Sequence, residues 1–157
     1  MSYTNADGLQ VLTNGAAGVA ANNGTTAVSA KKTMVVTLAD ATELDTSITT
    51  PDDQEAFIPS GSYITGASLL VTTAFTSGGS ATLTIGTYEQ DGTPIDADGI
   101  DATIAVADLA ANKAVACDGA QVGGTALVTA DSYIKAKYAT AAFTAGAAKL
   151  VIEYIEP

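Results

Sequence analysis

The residues best equipped for chemistry lie in one acidic stretch, 89–102, which contains Asp91, Asp96, Asp98 and Asp101. Two carboxylates at a suitable separation can act as acid and base in glycoside hydrolysis. The Gly and Pro residues interspersed among these four are typical of a surface turn. A surface turn gives a sugar no platform, so the sequence disfavours a catalytic role for the stretch.

Three of these carboxylates also suggest a cation site. The pattern Asp96-x-Asp98-Gly99-x-Asp101 places carboxylates at alternate or near-alternate positions, as Ca²⁺-binding loops do. The Glu at the twelfth position and the flanking helices of an EF-hand are missing. Asp96, Asp98 and Asp101 are therefore candidate Ca²⁺ ligands in an incomplete motif, and a solvated turn in which Asp caps a following helix is the favoured interpretation.

Nucleophilic catalysis lacks its usual parts. The chain contains no His, so neither a Ser-His nor a Cys-His pair can be assembled. The single cysteine, Cys117, follows Val115 and Ala116 and is predicted to be a small buried hydrophobic residue. The Gly-rich segment 122–125 lacks the Lys of a phosphate-binding loop and predicts a turn. We therefore predict a protein that is not an enzyme and needs no cofactor.

The charge balance argues against nucleic acid as a partner. Seventeen acidic residues stand against six Lys, which gives a net charge of -11. Binding to phosphates requires clustered Lys and Arg, and this chain presents the opposite field. The N-terminus lacks the basic flank and apolar run of a signal peptide, and no apolar stretch is long enough to span a bilayer. We expect cytoplasmic synthesis and no membrane association.

The elements that must position these residues begin with an N-terminal arm. Residues 1–30 are rich in Gly, Ala, Asn and Thr and contain little large apolar surface, whereas 31–157 read as a β-rich domain. The arm is expected to be extended. Two interpretations stay open: it becomes ordered along a neighbouring molecule, or it forms an irregular edge strand of its own domain.

Short β-favouring runs separated by turn residues follow at regular spacing, which predicts an all-β fold. The turn residues at 77–79 predict a hairpin between the runs 63–75 and 81–88. Residues 89–102 are expected to form an acidic loop. Residues 103–112 are expected to form a helical turn, although 103–106 alone would fit a strand. The expected architecture is an antiparallel two-sheet β-sandwich, jelly-roll-like, with about eight strands, one short helix and a C-terminal strand in the middle of a sheet. The predicted strands are 33–38, 55–58, 63–75, 81–88, 114–117, 125–129, 132–138 and 149–155.

Four segments between residues 55 and 155 resemble a known class of proteins. The segments are Phe57-Ile58-Pro59-Ser60-Gly61-Ser62-Tyr63-Ile64, Leu69-Leu70-Val71-Thr72-Thr73-Ala74-Phe75, Ala81-Thr82-Leu83-Thr84-Ile85-Gly86-Thr87 and Lys149-Leu150-Val151-Ile152-Glu153-Tyr154. Together with the acidic Asp-Gly loop, they resemble capsid decoration (cement) proteins of tailed phages, of the jelly-roll type. The resemblance implies a homotrimer on the capsid exterior where capsomers meet, with the major capsid protein as its partner. It does not extend to residues 1–30.

Two other functions remain open from the sequence. One is a head-fibre or tail-associated structural or adhesin module of the virion. The other is a carbohydrate-binding or Ca²⁺-binding β-sandwich module. All three possibilities place the function of the chain in its surfaces.

Overall fold

The computed structural model describes residues 31–44 and 57–156 in full, and residues 2–4 and 10–12 as backbone. Strands β1 (Ser2–Thr4) and β2 (Gln10–Leu12) pair antiparallel, with Tyr3 opposite Val11. The rest of the predicted 1–30 arm lies outside the described residues. Its two interpretations both stay predictions. The domain division at residue 30 stays a prediction.

The first sheet of the sandwich contains four strands in the order β3-β9-β4-β7. They are β3 (Lys32–Leu38), β4 (Tyr63–Ser77), β7 (Ala114–Ala116) and β9 (Phe143–Ile155). The long β9 pairs antiparallel with both β3 and β4. This confirms the prediction that the C-terminal strand lies in the middle of a sheet.

The second sheet contains three strands in the order β6-β5-β8. They are β5 (Thr82–Tyr88), β6 (Pro94–Ala105) and β8 (Tyr133–Ala139), all antiparallel. A single bridge joins Ile58 to Ser132, just before β8. Residues 55 and 56 of the predicted strand 55–58 lie outside the described residues. Along the chain, β3 and β4 belong to the first sheet and β5 and β6 to the second, and β7, β8 and β9 then alternate between the two sheets.

The core lies between the sheets because each strand buries alternate side chains. In β9 the inner row is Leu150, Ile152 and Tyr154, and in β5 it begins with Leu83 and Ile85, all less than a tenth exposed. Phe75 and Phe143 meet edge to face, with their ring centroids 5.1 Å apart, at one end of this core. The all-β sandwich predicted from alternation is confirmed.

The predicted hairpin at 77–79 is wrong. β4 pairs with β9 and β7, whereas β5 pairs with β6 and β8, so the chain passes from one sheet to the other at the tip. The reason is that the inner rows of β4 and β5 face the same core from opposite sides. A tight turn joins strands within one sheet as readily as it joins two sheets, and its residues do not distinguish the cases.

Three other expectations need correction. Residues 94–105 of the expected acidic loop and helical turn form β6, and the helical part is limited to one 3-10 turn, Val106–Asp108. A second 3-10 turn occurs at Ala41–Glu43. The run 125–129 is not a strand, because Val128 uses its backbone to bond Ser62 and Gly61 instead of a strand partner. The sandwich therefore has seven strands among its described residues, against the eight expected.

Candidate binding surfaces

The predicted acidic loop is a wide bulge in β6. Thr87 of β5 lies opposite Asp96, and Ile85 lies opposite Asp101. Between these two pairs β6 advances by five residues, whereas β5 advances by two. Gly86 lies between them, and its missing side chain leaves room for the backbone of Ala97. The Tyr88 hydroxyl donates to the carbonyl of Ala97 at 3.2 Å. The bulge is therefore held in a defined position by contacts with β5.

A neighbouring segment holds the outer side of this bulge. The backbone N–H of Gly119 donates to the Ile100 carbonyl, and that of Gln121 donates to the Gly99 carbonyl, both at 2.9 Å. The side chain of Gln121 also accepts a hydrogen bond from the buried hydroxyl of Thr87 at 2.8 Å. The backbone carbonyls of the extra residues in β6 thus accept hydrogen bonds from residues that are not in a neighbouring strand.

The structure brings two of the three candidate Ca²⁺ ligands together. Asp96 shares a side-chain hydrogen bond with Asp98, and burial, followed by this bond, raises the pKa of Asp96. The neighbouring carboxylate makes Asp96 harder to ionise than an isolated Asp. Asp91 lies in a separate turn, where the backbone N–H of Thr93 donates to it at 2.8 Å and lowers its pKa.

The third candidate ligand, Asp101, has other neighbours. Its carboxylate accepts a hydrogen bond from the backbone N–H of Thr103 at 3.0 Å, and the residue is only 4% exposed. Burial and then the negative charge of Asp118 raise the pKa of Asp101. Within 31–44 and 57–156, no group of three or more His, Cys, Asp or Glu side chains is arranged to hold a metal ion.

Lowering the pH from 7 to 5 is expected to stabilise the fold. The raised pKa of Asp96 and of Asp101 means that the native chain binds protons more tightly than the unfolded chain, so stability increases as pH falls toward these values. The lowered pKa of Asp91 acts in the opposite sense, but only as pH falls through its ordinary value near ~3.9 and below. Urea unfolding at pH 7, 6 and 5 should show a free energy of unfolding that increases as the pH falls. Asp96→Asn should reduce the gain, and a steady loss of stability over this range would contradict the assignment.

Cys117 behaves as the sequence predicts. It is 6% exposed within the core, and burial, with smaller contributions from Asp101 and Asp118, raises the pKa of its thiol to about 12. A thiol with this pKa is protonated at neutral pH and is a poor nucleophile. The segment 122–125 is a turn, as predicted, with Gly123 at a φ of 62°.

A cleft of about 340 Å³ opens between the sheets on the side of β3 and β8. Aliphatic side chains from both sheets line it, including Val36, Leu38, Leu69, Leu83, Ile134 and Leu150. Asp40 and Glu43 also border it. The Asp40 carboxylate caps the adjacent 3-10 turn by accepting from the Thr42 backbone N–H at 2.8 Å, and this bond lowers its pKa. The cleft offers apolar volume and no reactive group among its described lining.

The outer face of the four-stranded sheet carries several exposed apolar side chains. Val35 is 55% exposed, Leu70 41% and Ile155 39%. These are three of the five large hydrophobic side chains exposed among the described residues, and the strand register places all three on this face. The sequence analysis did not identify this face, because it located the strands without assigning their outward side chains. The apolar residues at several outward positions of these strands could have predicted it.

The described residues contain no helix long and apolar enough to cross a membrane. The sequence matches no protein-family model and no curated protein. The fold, in contrast, matches solved structures.

Three solved chains from phage capsids resemble this fold. A chain in the capsid of Ralstonia phage GP4 matches with a TM-score of 0.52 and 17% identity, over 82% of this chain and 86% of that one. A chain in the capsid asymmetric unit of cyanophage Pam1 matches with a TM-score of 0.51 and 15% identity, over the whole of both chains. A chain in the acidic stable capsid of Helicobacter pylori bacteriophage KHP30 gives a TM-score of 0.46 at 15% identity, over 80% of this chain and 94% of that one. The sandwich described above is thus a fold that also occurs among the chains of phage capsid structures.

Proposed function

We propose that this chain is a structural, non-enzymatic virion protein that binds the outer surface of a phage capsid and stabilises it. The observation that carries the proposal is the fold match to chains of two phage capsids, which extends over at least 82% of this chain in both cases. In the proposed arrangement the partner is the major capsid protein. The chain acts as a homotrimer at the junctions between capsomers, and it is made in the host cytoplasm.

The chemistry of the side chains supports a role in binding. The chain has no His, and its single thiol is buried and protonated. The carboxylates of the acidic stretch serve the β6 bulge and its turns, where Asp91 and Asp101 bond backbone N–H groups. Groups that satisfy local backbone donors stabilise their own loops and are not poised for proton transfer.

Charge and mass action support the location. A net charge of -11 favours a shell surface that presents basic patches, because complementary potentials steer association. A protein that binds the assembled shell, and not the free subunits, stabilises the shell by its binding free energy at every site. Moderate affinity per site is sufficient because the sites are many.

The test is to rebind the purified protein to capsids stripped of it. Bound protein should be recovered with the particles at a fixed ratio to the major capsid protein, and the disruption temperature of the particles should rise. Glu or Asp replacements of basic shell residues at the site should abolish binding. Absence of binding, with no change in disruption temperature, would reject the proposal. Labelled protein found only on tails or head fibres would also reject it and would indicate the alternative virion role.

A further inference from the structure

We infer that copies of this chain contact one another through the outer face of the four-stranded sheet. The inference deepens the proposed homotrimer and rests on it for its biological setting. The face is defined by the outward side chains of β3, β9 and β4: Thr33, Val35, Thr37, Lys149, Val151, Glu153, Ile155, Tyr63, Ser68 and Leu70. The strand register places them together, with one β-bulge in β4 between Ile64 and Gly66.

Apolar side chains form the centre of the face. Val35 of β3 lies opposite Val151 of β9, which in turn lies opposite Ser68 of β4. In the next row, Leu70 lies opposite Lys149. An apolar centre bordered by hydroxyl and charged groups is the usual composition of a protein–protein interface.

The charges of the chain favour a second copy as the occupant. Residues 31–44 and 57–156 contain twelve Asp and Glu residues, and of these only Glu153 projects from the outer face. Its carboxylate is paired with Lys31 at 2.8 Å. Two molecules of strongly negative charge repel each other least when they meet through surfaces without net negative charge. The outer face, which carries Glu153 and Lys149, has no net charge and is such a surface.

The size of the face sets the strength of the contact. Three strands spaced ~4.8 Å apart and about seven residues in length define an area on the order of 300 Å². A stable interface buries about 800 Å² on each partner. The contact is therefore reversible and concentration-dependent in free solution, and it strengthens when a shell holds the copies close together.

The test is the molecular mass of the purified full chain by sedimentation equilibrium and light scattering, from micromolar to submillimolar concentration. Wild-type protein should self-associate, and Val35→Glu and Leu70→Glu should each weaken association about tenfold or more. Leu127→Glu is the matched control, because Leu127 is 54% exposed outside this face and should leave association unchanged. Circular dichroism and melting curves establish that each variant is folded.

Salt provides a second readout. Raising the ionic strength should strengthen association, because it screens the repulsion between the acidic bodies and leaves the apolar contact intact. Association that weakens with salt would overturn the inference, and so would a wild-type chain that remains monomeric throughout, or association insensitive to both face variants.

Binding of the same variants to stripped capsids separates this inference from the proposed function. A monomeric wild type that still binds capsids would remove the inference and retain the function. A self-associating chain that never binds capsids would retain the inference and reject the proposed function. If the wild type is monomeric and the face variants lose capsid binding, the face docks on the shell, and self-contact is rejected.

Discussion

A chain that ends after Lys149 is expected not to fold. The deletion removes most of the residues through which β9 pairs with β3 and with β4, so the first sheet loses its central strand. It also removes Leu150, Ile152 and Tyr154 from the core. Burying three such side chains contributes ~1.5–3 kcal/mol each, which together is comparable with the ~5–15 kcal/mol total stability of a domain. Far-UV circular dichroism and limited proteolysis should show a chain without cooperative unfolding.

The control is a chain that ends after Ile155. It keeps the whole of β9 and loses the ion pair between Lys32 and Glu156, which measures 2.7 Å and is partly exposed. An exposed ion pair of this kind contributes little to stability, so this chain should melt close to the wild-type temperature. A cooperative melt from the shorter chain would show that β9 is not needed to hold the two sheets together.

Gly86→Ala is expected to destabilise the fold by about 3 kcal/mol, at the upper end of overpacking costs. A Cβ at this position would overlap the backbone of Ala97 and the carbonyl of Asp96. Backbone cannot move aside as a flexible side chain can, so relief requires the bulge in β6 to lift off β5. The melting temperature should fall by roughly 6–12 °C in a domain of this size.

Gly78→Ala is the matched control for that substitution. A Cβ at Gly78 would meet no atom within 4 Å, so the same chemical change should be tolerated there. If the Gly86→Ala and Gly78→Ala variants have the same melting temperature, the close approach of β6 to Gly86 does not persist in solution. Loss of the bulge should also increase exposure of Tyr88, which tyrosine fluorescence can follow.

The sequence predicts strands well where their signal is local. In β5 and β9, apolar residues alternate with small or polar ones, and β5 lies where that alternation predicts it. The predicted strand 149–155 is the C-terminal half of β9, which begins six residues earlier, at Phe143. In that half, Leu150, Ile152 and Tyr154 alternate with outward residues and are buried. One buried face fixes which side chains point inward, and this information is contained in consecutive residues.

Pairing between strands could not be predicted in the same way. The Ser77–Gly79 tip has turn chemistry whether it joins partners in one sheet or crosses to another, and the choice depends on β9, which is distant in sequence. The run 125–129 has β-favouring residues, yet the backbone of Val128 bonds Gly61 and Ser62 in the turn that precedes β4 and not a strand partner. Context outweighs intrinsic β-propensity in both cases.

The candidate sites show the same limit. Asp96, Asp98 and Asp101 are close in sequence, but the bulge directs Asp101 toward Asp118 and leaves the other two as a pair. The spacing alone could not reveal this, because it depends on the partners of Gly99 and Ile100 in the 119–121 segment. The burial of Cys117 was predictable because its neighbours in the strand are apolar.

The position of β9 between β3 and β4 also determines the order of events during synthesis. Phe143, where β9 begins, follows the end of β4 at Ser77 by about 66 residues. At typical translation rates the ribosome needs roughly 3–13 s to make that interval. Throughout it, β3 and β4 are present in the nascent chain without the strand that separates and pairs them. The net charge of -11 opposes association between neighbouring unfinished copies through these unpaired strands, because like-charged chains repel.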